Sequence, residues 1–186
     1  MRRAILLMFA LEASGTATQA LRERDAEIRA ALPPAGQVLS DPDRRRVEGI
    51  VVRIVDTRRI LEAALRDRWT TLTEVERGRL LEAFERRFKV SGGTQLESMR
   101  EARIEYLAER RQGDDIVVPT RVTVRDETSD VRYVVRNTPS GWRIVDIVVD
   151  EVSTVENYRA SFARTIGREG VEGLIRRLER GGEARP

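Results

Sequence analysis

Few side chains in this sequence are equipped for chemistry. Asp146 lies in an almost continuously apolar run, Trp142 to Val149, where burial would raise a carboxyl group's pKa and suit it to general-base work. Ser153 could serve as a nucleophile, and Ser91-Gly92-Gly93 could form a phosphate loop. Each lacks what its chemistry requires. No partner acid, base or nucleophile stands at a meaningful spacing from Asp146, so pairing with an arginine such as Arg159 is the expected role. Ser153 begins Ser153-Thr154-Val155-Glu156, a capping box that accounts for its hydroxyl. The glycine pair has no strand before it and no lysine after it, and reads as a linker. The chain contains no histidine and no cysteine. The usual general base, His-containing triads, thiol nucleophiles, thiolate zinc sites, disulfides and lipid-modified cysteines are therefore all excluded.

The charge balance argues against nucleic acid. Charged residues make up 35% of the chain, yet they nearly cancel to +3, and Lys89 is the only lysine. Arginine pairs such as Arg58-Arg59, Arg86-Arg87, Arg110-Arg111 and Arg176-Arg177 are interleaved with Asp and Glu. A nucleic-acid footprint would be a net-basic patch, and only Arg44-Arg45-Arg46 is undiluted. The pairs read mainly as solvated faces, with steering toward anionic surfaces as the functional alternative.

The elements that would position any site fall into two kinds. Met1-Arg2-Arg3, an apolar run from Ala4 to Ala13 and small residues through Ala20 resemble a secretory leader over residues 1–20. One domain is expected over 21–180, with a polar tail at 181–186. A helix is predicted over residues 19–32, stopped by Pro33-Pro34. A second begins at Ser40-Asp41-Pro42 and carries a helical apolar pattern from Val47 through Leu65. A third starts at the capping box Thr73-Glu74-Val75-Glu76 and ends at Ser91-Gly92-Gly93.

The period then changes from 3.6 to 2. Strands are predicted around Ile104–Ala108, Val118–Val124, Val131–Val135 and Trp142–Val149, joined by short polar turns. A closing helix follows from Ser153, with Val155, Tyr158, Phe162 and Ile166 on one face and breaks at Gly167 and Gly170. The predicted fold is α+β: a four-stranded twisted antiparallel meander, with N-terminal and C-terminal helices packed on its concave face around an apolar cleft.

The ordered set of motifs is similar to the MlaC (toluene-tolerance Ttg2) family. Its C-terminal signature is matched by Gly141-Trp142-Arg143-Ile144-Val145-Asp146-Ile147-Val148-Val149, then Val152-Ser153, Glu156-Asn157-Tyr158-Arg159, Phe162, and Gly170 ahead of Leu174-Ile175. Upstream, Ala64-Leu65-Arg66-Asp67-Arg68-Trp69, Thr73, Glu76-Arg77, Phe84 and Val118-Pro119-Thr120-Arg121-Val122 follow in the family's order. Glu151 stands where the family usually has glycine.

The resemblance implies a periplasmic carrier without enzymatic activity. It would have no cofactor, and bound phospholipid would be its cargo. Its partners would be an outer-membrane lipoprotein complex and an inner-membrane ABC transporter with a substrate-binding subunit. No nucleic-acid partner and a monomeric state are expected. On that reading Ile104, Tyr106, Val118, Val122, Tyr133, Val135, Trp142 and Ile144 form the sheet wall of the cleft, and Phe84, Phe88, Tyr158, Phe162 and Ile166 the helical wall. Plain core packing is the competing role for each. A second reading is a small-ligand enzyme or binding module on a cone-shaped fold that resembles the NTF2-like group, with an acidic residue in its pocket. A third is a protein-binding domain with a solid core. The interior distinguishes them.

Overall fold

The computed structural model describes residues 15–34, 37–93 and 100–181. Most of the expected leader and the tail beyond 181 lie outside them. Residues 17–20, assigned above to the leader, form the first turn of helix α1 (Ala17–Ala31), with Ala17 fully buried and the Thr16 hydroxyl accepting from Gln19 N. Helix α2 (Asp41–Ile54) is opened by reciprocal hydrogen bonds between Ser40 and Asp43, a donor-satisfying arrangement that the sequence signals directly.

The apolar pattern that predicts one helix to Leu65 is interrupted at Val55-Asp56. There Val55 bridges Ile144 as a parallel partner, and Asp56 N donates to Ile144 O at 2.8 Å. Asp56 then accepts from Arg59 N at 3.0 Å and starts α3 (Thr57–Leu65). A short α4 (Asp67–Thr71) follows Arg66, whose φ is 49°. The Thr73–Glu76 capping box opens α5 (Glu74–Gly93), with Glu76 N donating to Thr73 Oγ1 at 3.2 Å. This helix ends at Gly93, within the Ser91-Gly92-Gly93 segment expected to close it. The last element, α6 (Thr154–Gly181), passes through Gly167 undisturbed and breaks only at Gly170, at φ 70° and ψ −176°.

Among the described residues the sheet has six strands, not the predicted four: β1 (Arg103–Tyr106), β2 (Arg110–Gln112), β3 (Asp115–Val124), β4 (Glu127–Thr138), β5 (Gly141–Val149) and β6 (Val152–Ser153). Their order is β1-β3-β4-β5-β6, all antiparallel, with β2 also paired to β3. The two extra strands have simple origins. The first predicted strand leaves the ladder after Tyr106, where Leu107 N still reaches Pro119 O, and rejoins β3 as β2. β6 is a two-residue return that leads into α6. The helices pack on one face, with α2, α3 and α6 against β5 and α1 against β3. Phe84, Ile60, Leu61, Leu80, Leu174, Ile175, Val118 and Val135 are fully buried at the centre.

Candidate functional site

Strand register decides which side chains share the helix-covered face. Side chains alternate along a strand, and directly paired residues point the same way. Ile104 pairs with Val122, Tyr106 with Thr120, Thr120 with Val131, Val118 with Tyr133, Ile116 with Val135, Val135 with Ile144, and Asn137 with Trp142. All eight sheet residues singled out in the sequence therefore lie on one face. Tyr106, Val118, Tyr133, Val135, Trp142 and Ile144 join the hydrophobic core; Ile104 and Val122 form a half-buried pair at the end of the face, outside that cluster.

Four buried or half-buried residues of this face were not among the site candidates: Ile116, Thr120, Val131 and Ile147. Ile116 and Thr120 follow from the same alternation as Val118. Thr120 is buried because its hydroxyl donates to Val131 O at 2.9 Å. Ile147 was hidden by an irregularity: the register shifts between Val134 and Val135, so that Val134 faces Asp146 and Tyr133 faces Ile147. An extra residue in one strand reverses the phase of everything beyond it. Simple alternation from Ile144 would put Asp146 inside; the bulge puts Ile147 there instead and turns Asp146 to the other face.

The fate of Asp146 corrects the pairing expected for it. Its carboxylate accepts from Ser153 Oγ at 2.6 Å, Val155 N at 3.0 Å and Ile147 N at 2.8 Å, and so ties β5 to the start of α6. Arg159 is engaged elsewhere, with Glu156 and with Ala63 O. Ser153 caps the helix as expected, accepting from Glu156 N at 3.1 Å. No carboxylate is left poised as a base at this point.

The helical wall is aromatic. Phe84, fully buried on α5, meets Tyr158 edge-on at 5.0 Å and Phe162 at 6.1 Å, with Phe88 at 6.2 Å. Tyr158 and Phe162 stack at 5.3 Å on α6. Ile166 packs against the same core from one turn further on. Phe84, Val118, Val135, Ile144 and Phe162 are closed off and act as core. Phe88, Ile104, Tyr106, Val122, Tyr133, Trp142, Tyr158 and Ile166 are half-buried.

A third wall, α1, was not anticipated as part of the site. Its Leu21 and Ile28 enter the core, while its polar side chains lash it to the sheet. Trp142 Nε1 donates to Gly15 O at 2.8 Å; Thr18 N and Oγ1 donate to Glu109 at 2.8 and 2.6 Å; Arg29 donates to Ala102 O at 2.8 Å and to Asp25 at 2.9 Å. The Arg22 guanidinium lies 4.5 Å over the Tyr106 ring.

The chain's three tyrosines, Tyr106, Tyr133 and Tyr158, share an unusual state. Among the described residues none of their hydroxyls makes a hydrogen bond. Nor is any of them sealed off from solvent, since the sealed and unpartnered side-chain atoms belong to Arg100, Arg143 and Arg159. Burial pushes all three phenols above their ordinary range, and the nearby Asp25 charge adds to this at Tyr106 and Tyr133. Interior tyrosines ordinarily find a partner for the hydroxyl. Among the described residues no group of three potential metal ligands occurs, and no helix is long and apolar enough to cross a membrane.

The fold is shared with a solved structure described as the phospholipid-binding protein from Ralstonia solanacearum in complex with a phospholipid. The two are 23% identical, with a TM-score of 0.76, over 90% of this chain and 97% of the other. No curated protein matches the chain. The family model described as MlaC protein matches residues 37–180, well over half of the sequence, and the chain belongs to the MlaC family.

Proposed function

We propose that this protein binds phospholipid, its acyl chains held between the apolar face of the sheet and the aromatic wall of α5 and α6. What carries the reading is the pairing of a one-sided apolar sheet face with the aromatic cluster of Phe84, Tyr158 and Phe162 on α5 and α6. Membership of the MlaC family and the fold shared with a protein solved with bound phospholipid support it. The energetics are adequate. Burial of each methylene gains about 0.8 kcal/mol, so a chain of about 15 gains roughly 12 kcal/mol before ordering costs. Such a cargo leaves only when a partner offers an equally apolar path.

The protein then acts as a periplasmic carrier between an outer-membrane lipoprotein complex and an inner-membrane ABC transporter with its substrate-binding subunit. Export with cleavage ahead of Gly15 would preserve the buried first turn of α1. The small-ligand enzyme reading loses support because Asp146 is engaged by three hydrogen bonds and Asp25 by Arg29. Native mass spectrometry with lipid extraction, on protein purified from a diderm host without detergent, tests the proposal. Phospholipid at fixed stoichiometry is expected; a lipid-free spectrum, with no uptake from labelled vesicles, would overturn it.

A further inference from the structure

We infer that the C-terminal ends of α5 and α6 form an electrostatic docking surface for an anionic phospholipid bilayer, separate from the interior and its cargo. The Arg87 guanidinium donates to Gly181 O at 3.0 Å and so fastens the two helix ends together. Arg86 and Lys89 flank Arg87 within two residues, and Arg177 and Arg180 stand within about 6 Å of Gly181 along the α6 axis. Arg86, Arg177 and Arg180 are exposed. Elsewhere arginines are matched to acids, as Arg29 is to Asp25, Arg58 to Glu62, Arg132 to Glu151 and Arg136 to Asp115. At this end, among the described residues, Arg87, Lys89, Arg177 and Arg180 have no carboxylate within ion-pair distance. The nearby acids are engaged: Glu82 by Arg86 at 2.8 Å, Glu85 by Thr57 at 3.2 Å, and Glu172 and Glu179 by Arg79 at 2.8 and 3.8 Å.

Helix stability does not explain the cluster. The dipole favours a cation at a helix C-terminus. Yet Arg177 and Arg180 are three residues apart and Arg176 and Arg180 four, spacings at which like charges repel, and Arg86 and Lys89 repeat the pattern on α5. The exposed large apolar side chains, Val38, Val75, Val149 and Val152, all lie elsewhere, so contact here is adsorption and not insertion. Long cations without a fixed pocket suit a plane of phosphates, to which each Lys or Arg adds attraction whatever the shape of the surface. The remaining charge agrees. Residues 101–153, which carry the sheet, hold eleven acids against eight arginines, in a chain whose net charge is +3. An anionic surface therefore attracts the helix ends and repels the sheet, which orients the approach.

The test is flotation of the full chain with vesicles of dioleoylphosphatidylcholine, alone or mixed with dioleoylphosphatidylglycerol, at low ionic strength. Binding is expected to the mixed vesicles only, and to vanish near about 1 M salt, where charges are screened within about 3 Å. Arg177→Gln with Arg180→Gln should weaken it about fivefold for each cation removed, with the melting temperature held, and Arg177→Lys with Arg180→Lys should retain it. Arg110→Gln with Arg111→Gln removes the same charge from β2 and should leave binding unchanged. Equal binding to both vesicle types, or equal weakening by the two glutamine pairs, would overturn the surface. No vesicle binding, with saturable binding of poly-glutamate that Arg177→Gln with Arg180→Gln removes, would assign the cluster to an acidic protein segment and overturn the bilayer. Uptake of labelled phospholipid from phosphatidylcholine vesicles keeps the two readings apart. Uptake lost only in Arg177→Gln with Arg180→Gln would place these arginines in the cargo site and overturn the inference, whereas uptake absent from the wild type sinks the carrier reading alone.

Discussion

Removing the Asp146 carboxylate should destabilise the protein far more than removing the arginine that sequence reasoning paired with it. Asp146→Ala leaves Val155 N without its acceptor at the start of α6, frees the Ser153 hydroxyl, and deletes a negative charge from a helix N-terminus. A half-buried amide deprived of a charged acceptor costs about 1.5–3 kcal/mol. The serine contact adds about 1 kcal/mol, and the helix-terminal charge about 0.3–1 kcal/mol. The Ile147 contact, to the adjacent amide, contributes little more. The sum is about 3–5 kcal/mol, which in a domain of this size lowers Tm by roughly 10 °C.

Asp146→Asn keeps an acceptor for both amides and can donate to Ser153 Oγ, so it should cost only about 1–2 kcal/mol. Chemical denaturation of both variants, with double-mutant cycles to Ser153 and to Arg159, provides the measurement. Coupling of Asp146 to Ser153 should reach about 1 kcal/mol, and coupling to Arg159 should stay below about 0.5 kcal/mol. The reverse pattern would refute the reasoning and restore the ion pair.

Phe84→Ala, at the fully buried centre of the aromatic cluster, should cost about 3–5 kcal/mol, whereas truncating half-buried Phe88 should cost less, as thermal melts would show. Gly170→Ala meets open space at its Cβ, so its loss of about 1–3 kcal/mol comes from the backbone at φ 70°, and a melt with no change would contradict the break in α6. The three phenols are raised in the folded state, so the stability they contribute is fully present below the unfolded pKa of about 10 and is lost as pH rises beyond it. Ultraviolet titration should show native tyrosines ionising above the pH at which denatured ones do; coincident curves would argue against burial. Glu76 is held below its usual range chiefly by Thr73 N–H, so Glu76 contributes stability above about pH 4.5 that disappears on acidification, and Glu76→Gln should flatten that part of an acid melt.

Much of this architecture is legible in the residues. The Ser40–Asp43 and Thr73–Glu76 caps announce their helices because local hydrogen bonds decide them, and the alternation around Val118, Val122, Tyr133 and Val135 gives the inner face of the sheet. What escapes is set by distant parts of the chain. The break at Val55-Asp56 exists because Ile144 offers a strand edge there, and nothing near Val55 signals it. The position of Asp146 depends on a bulge whose presence alternation alone cannot reveal in a continuously apolar run. Likewise α1 reads as an ordinary amphipathic helix. Its place in the candidate site, through Arg22 and Asp25, depends on partners in β1 and β4.

Those distant partners also impose an order in time. α1 precedes every strand of the sheet in the chain, yet its ties to Ala102, Glu109 and Trp142 span 73, 91 and 127 residues. Until the sheet has formed, the apolar stripe of Ala17, Leu21 and Ile28 has only α2 to pack on, and closing such long loops comes late in folding. The segment that precedes the sheet is thus the one locked last, once its distant partners are in place.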